Sequence, residues 1–137
     1  MNTTLGFEVA LEDGIDRAIE KVAEALKTEG FGILTRIDVK ATLKEKLGED
    51  FRPYVILGAC HPPTAHRALA HNALVGLLLP CNVTVEAAAH GGSIVRIVNP
   101  ETMFTAGGIE QDPVIRELAT ETRERLERVA GVLRKNA

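Results

Sequence analysis

LLPCNVTVEAAA at Leu78–Ala89, HGG at His90–Gly92 and SIVRIV at Ser93–Val98 read together as a β-hairpin. Both arms are rich in β-branched residues, and Gly91 and Gly92 supply the positive φ that a tight reversal requires. In the first arm Val83 and Val85 share one face, so Glu86 turns to the other. Three readings are open to Glu86: a general base in a pocket, a solvent-facing residue, or the ion-pair partner of Arg96 across the hairpin. Two neighbouring antiparallel strands near the end of a chain, followed by one long helix, predict an antiparallel-rich sheet.

Downstream of the hairpin, Ala106-Gly107-Gly108 reads as a loop, and Asp112-Pro113 as a helix cap with a first-turn proline. The helix that follows places Ile115, Leu118, Thr122, Leu126, Val129 and Leu133 on one stripe. Upstream, Pro53–Cys60 reads as a strand and Pro63–Ala70 as a helix. Phe31–Val39 reads as a strand with Phe31, Ile33, Ile37 and Val39 on one side, and Lys40–Leu47 as a short charged helix stopped by Gly48. Asp13 is placed to cap a helix whose stripe is Ile15, Ala18, Ile19, Val22, Ala25 and Leu26, closed by Gly30. Thr3–Val9 alternates as a strand. The order is β-α-β-α-β-α-β-β-α over residues 1–137, a single α+β domain with helices packed on one face of the sheet.

The chain has 137 residues, four Phe, one Tyr and no Trp, so its core must be aliphatic. Net charge is −3. Arg116, Arg123, Arg125 and Arg128 alternate with Glu117, Glu121, Glu124 and Glu127, the pattern of a solvated helix rather than a phosphate-binding face, so no nucleic-acid partner is expected. Ala73–Leu79 is too short to span a bilayer, and no membrane association is expected. Met1–Leu5 has neither the basic nor the apolar run of a signal peptide, and two cysteines suit a reducing compartment, so the expected location is cytoplasmic. The Asn-x-Thr triplets at Asn2 and Asn82 are then chance.

Between Phe51 and Ile109 the only charged residues are Arg52, Arg67, Glu86, Arg96 and Glu101. Such a stretch supplies a central sheet, with the further reading that a second subunit or a ligand covers its outer face. All four histidines (His61, His66, His71, His90) and both cysteines fall inside it. Cys60 ends one strand and Cys81 lies near the start of the next. Antiparallel pairing of the two would bring both sulfurs to one end of the sheet, where with His61 they would suit zinc or copper. Against this, there is no Cys-x-x-Cys and no histidine pair at helical spacing, and buried cysteine often only fills space. Gly91-Gly92-Ser93 and Gly107-Gly108 lack the setting of a phosphate loop, and no Gly-x-Ser-x-Gly elbow occurs. No base, nucleophile and orienting partner can be placed together, so the reading leans away from an enzyme.

The segments Cys60-His61-Pro62-Pro63-Thr64-Ala65-His66-Arg67-Ala68-Leu69 and Gly76-Leu77-Leu78-Leu79-Pro80-Cys81-Asn82-Val83 resemble a family of prokaryotic proteins, domain of unknown function 302. The resemblance extends over nearly the whole chain. It implies a compact α+β fold of the TATA-binding-protein-like kind, a dimer, and no activity or substrate to carry over. The motif maps onto Cys60, Pro62, Pro80, Cys81 and Asn82, with His61 standing where the family pattern usually has Asn. The functional expectation is a small homodimeric binding or interaction module. Its apolar groove would lie between a curved sheet and the long helix, taking a small apolar ligand and using Cys60, Pro62, Pro80, Cys81, Asn82 and Glu86. The alternative is a thiol-based metal or redox site at Cys60 and Cys81.

Overall fold

The computed structural model describes residues 4–137. Five strands form one sheet in the order β1-β5-β4-β3-β2: β1 Gly6–Leu11, β2 Gly32–Asp38, β3 Tyr54–Cys60, β4 Cys81–Ala87 and β5 Ser93–Val98. Every neighbouring pair is antiparallel. Among the described residues the α-helices are α1 Ile15–Thr28, α2 Val39–Leu47, α3 Pro62–His71, α4 Pro100–Gly107 and α5 Pro113–Lys135. The α+β expectation holds, and among the described residues no helix is long and apolar enough to cross a membrane.

Alternation sorts the sheet into two unlike faces. Val9, Val55, Leu57, Val83, Val85, Val95 and Ile97 are buried against Val22 and Leu26 of α1 and Leu126, Val129 and Leu133 of α5. The stripes read from the sequence are those the helices bury, Ile15 of α1 only partly. A second cluster, with Val75, Phe104, Ile115 and Leu118, joins α4 and the start of α5. The opposite face of the sheet, called outer below, carries Tyr54, Ile56, Thr84, Glu86, Ile94 and Arg96.

The differences from the sequence reading have local causes. Asn2 and Thr3 lie outside the described residues, and the strand runs from Gly6 to Leu11, which is buried while Leu5 stays exposed. Gly14, not Asp13, precedes α1; the Asp13 carboxylate instead accepts from Lys21 Nζ at 2.7 Å. The side assigned to Phe31, Ile33, Ile37 and Val39 breaks at a bulge between Ile33 and Thr35, which carries Ile37 to the outer face, and Val39 already belongs to α2. Leu78–Pro80 is not strand. Asn72 Oδ1 accepts from Leu74 N–H and starts a 3-10 turn over Ala73–Leu78, and Pro80, with no N–H for the ladder, leaves Cys81 as the first paired residue. Of the loop expected at Ala106-Gly107-Gly108, Ala106 and Gly107 are the end of α4, whose cap Asn99 and first-turn Pro100 repeat the Asp112-Pro113 device that starts α5.

Candidate functional site

The sequence-predicted residues separate into two places. At the end of β3 and the start of β4, Ala59 pairs with Cys81, so both cysteines do reach the same end of the sheet. Cys81 shares the inner face with Ala59; Cys60 is one residue further on, at the end of β3, and the two line the same small void. Both are free thiols. Burial, with a smaller contribution from Cys60, pushes the Cys81 thiol up to about 11, and burial also raises that of Cys60. A thiol of raised pKa carries little thiolate at neutral pH and is a weak nucleophile.

His61 is used by the fold. It precedes α3, where Pro62 occupies the first turn, and its Nδ1 accepts from the Thr64 backbone N–H at 3.4 Å and lies 2.7 Å from the Thr64 hydroxyl. Burial, and then the nearby Arg125 charge, hold its pKa below the usual value. Among the described residues no three His, Cys, Asp or Glu side chains stand close enough together to hold a metal ion, so Cys60, Cys81 and His61 are not gathered into a ligand set. His71 is committed elsewhere, its Nε2 lying 2.6 Å from Asp112 Oδ2. The expected apolar groove between sheet and α5 is filled by core side chains. What remains there is a void of about 30 Å³ among Phe31, Ala59, Cys81, Val75, Phe104 and Leu118, too small for an organic ligand.

The second place is the outer face. Pro80 roofs Gly58, with Thr35 beside it: a Cβ built at Gly58 would stand 2.6 Å from Pro80 Cγ. Next to Gly58, Asn82 is exposed on β4. Two residues on, Thr84 pairs with Ile56 and Arg96, and its buried hydroxyl has no hydrogen-bond partner. Glu86 is 6% exposed and accepts from Arg52 Nε at 2.6 Å and from Arg96 Nη1 at 2.5 Å. Burial, the largest influence on Glu86, would raise its pKa. The hydrogen bonds and charges of Arg96 and Arg52 outweigh it and hold the carboxyl below the usual range. Glu86 is thus an anchored anion: it is buried rather than solvent-facing, and the structure realises the ion pair with Arg96. Arg96 also reaches Glu8 of β1 at 3.1 Å, and Arg52 stacks 4.5 Å from the Phe51 ring centroid. An alternating chain Arg52–Glu86–Arg96–Glu8 therefore crosses the sheet. Arg52 and Glu8 were not singled out from the sequence; cross-strand register is what joins them to Glu86.

One margin of the sheet is bare. In β2, an edge strand, only Ile33 is half-buried and all other residues are exposed. The following helix α2 has no buried residue. It is held at its ends, by Asp38 accepting from Ala41 N–H at 2.9 Å and by Gly48 in the left-handed conformation at φ 69°. Leu34, Ile37 and Leu47 are 66%, 48% and 67% exposed on this margin.

Comparison with known proteins agrees with this architecture. The family model described as domain of unknown function DUF302 matches residues 7–133. A similar solved structure is the crystal structure of an uncharacterized conserved DUF302 protein from Bacillus stearothermophilus. It is 34% identical, with a TM-score of 0.84, over 96% of this chain and 100% of that one. No curated protein matches the sequence.

Proposed function

We propose, for a chain that belongs to the domain of unknown function DUF302 family, that it works as a homodimeric interaction module whose β2–α2 margin docks a second copy. The observation that supports this reading is α2, nine residues with none buried. A helix that short is marginal in water on its own and normally owes its stability to packing an apolar face. Beside it runs an unpaired strand edge bearing Leu34 and Ile37, a template for another strand.

A second copy suits the edge because its sequence complements itself. Antiparallel pairing of β2 with its copy about a two-fold axis at Ile37 sets Arg36 opposite Asp38 in both directions. Sedimentation velocity across a dilution series tests the reading. The wild type is expected to run as a dimer. Leu34→Lys with Ile37→Lys, both on solvent-facing positions, should run as a folded monomer with unchanged circular dichroism. A wild-type chain that stays monomeric at every concentration, or a double variant that still dimerises, overturns it.

A further inference from the structure

The outer face carries a concavity that the dimer margin does not use. It has a volume of about 410 Å³, within the range of small-molecule sites. We propose that it binds an amphipathic small molecule with an uncharged hydrogen-bonding head, such as a primary carboxamide. The residues that make this site all come from one chain, so the inference stands apart from the dimer.

The apolar end is built by Leu5, Val98 and Met103, the last contributed by α4. The polar end is built by Asn82, Thr84 and Tyr54. Each of these three side chains can both donate and accept, which matches a head group that does both. Thr84 is the feature left unexplained by the fold. Its hydroxyl is buried with no partner, a costly state for a polar group. Thr84 lines the concavity, and a turn about χ1 gives its hydroxyl another staggered position from which to meet a ligand there.

Charge decides the class of head. Arg96 lines the site, but its guanidinium is held by Glu86 at 2.5 Å and Glu8 at 3.1 Å. A carboxylate head would have to share Arg96 with two anionic glutamates and lie beside both. An ammonium head would have to compete with Arg96 for Glu8. An uncharged head leaves the ion-pair chain intact and spends its hydrogen bonds on Asn82 and Thr84.

The test uses the full-length, 15N-labelled chain and three six-carbon probes that differ only in the head: hexanamide, hexanoate and hexylammonium. Hexanamide is expected to shift the backbone amide signals of Asn82, Thr84 and Val98, and to bind at least about five-fold more tightly than either charged probe, the worth of one net hydrogen bond. Thr84→Val should lose about that factor, and Thr84→Ser, which keeps the hydroxyl, should restore it. The proposal is overturned if no probe shifts these signals, if a charged probe binds as tightly as the amide, or if Thr84→Val binds hexanamide like the wild type.

Discussion

Replacing Glu86 by Gln keeps the volume of the side chain and removes its charge, which makes it a clean probe of the ion-pair chain on the outer face. Each carboxylate oxygen accepts one bond from an arginine, at 2.6 Å and 2.5 Å. Glutamine offers a single acceptor, so its amide group must turn two N–H donors toward the other guanidinium. A hydrogen bond to a charged group contributes about 1.5–3 kcal/mol. Arg52 and Arg96 are 53% and 45% exposed, so both regain water when the bond is lost and the lower end applies. The expected destabilisation is about 2 kcal/mol, which with a urea m-value of about 2 kcal/mol/M lowers the midpoint by about 1 M.

The dependence on pH sharpens the test. The folded pKa of Glu86 is depressed, so its contribution is fully present above the unfolded value of about 4.3 and is lost as pH falls through the folded value. Other carboxylates titrate in the same window in both proteins, so the diagnostic quantity is the gap between wild type and Glu86→Gln. That gap should be open at pH 7 and close as the medium becomes acid enough to protonate Glu86. Urea titrations at fixed protein concentration measure it. Equal midpoints at neutral pH, or a gap that does not narrow in acid, would refute the reasoning.

Two further expectations rest on the sheet itself. With Cys81 raised to about 11, an aromatic disulfide reagent at pH 8 should label it about a hundred-fold more slowly than free cysteine until the chain is unfolded; labelling of the native chain at the free rate would contradict its burial. Gly58→Ala should cost about 1–3 kcal/mol by denaturant titration because the added methyl meets Thr35 Oγ1 and Pro80 Cγ, and Thr35→Ala in the same chain should recover part of that loss; an unchanged midpoint would show that β2 and Pro80 yield freely.

What was legible in the sequence is what periodicity encodes. The stripes of α1 and α5 and the β5 strand need only local spacing, and Asp112-Pro113 announces α5 because cap and proline act within one turn. The bulge in β2 is invisible locally, since it exists only relative to β3. The α4 helix was missed although Asn99-Pro100 carries the same signal, because eight residues give too short a stripe to read. In the site, the Glu86–Arg96 pair followed from the hairpin alone. Arg52 did not, because it reaches Glu86 only through the β3–β4 register that sets Tyr54 opposite Glu86. For the cysteines, the topology was foreseen, and both line one small void; burial, which local spacing does not reveal, is what makes them poor thiolates.

The charge-poor middle of the chain takes on meaning once it is divided by face. A sheet buried on both sides needs apolar residues in every row. Here the inner rows of β3, β4 and β5 are apolar except for Ser93, whose hydroxyl donates to the Asp13 carbonyl, while Glu86, Arg96 and Arg52 meet on the outer side. Placing a nearly buried glutamate between two arginines at the middle of a face would be a poor foundation for a second core layer, because covering it would strip water from half-exposed guanidinium groups. The same arrangement leaves a wet, charge-balanced floor beside apolar walls, which is how small polar-headed molecules are held. A second copy therefore has better reason to come to the β2–α2 margin, where the strand edge and the exposed leucines are uncommitted. The sparse charge of this stretch thus serves the core on one face and leaves a charge-balanced concavity on the other.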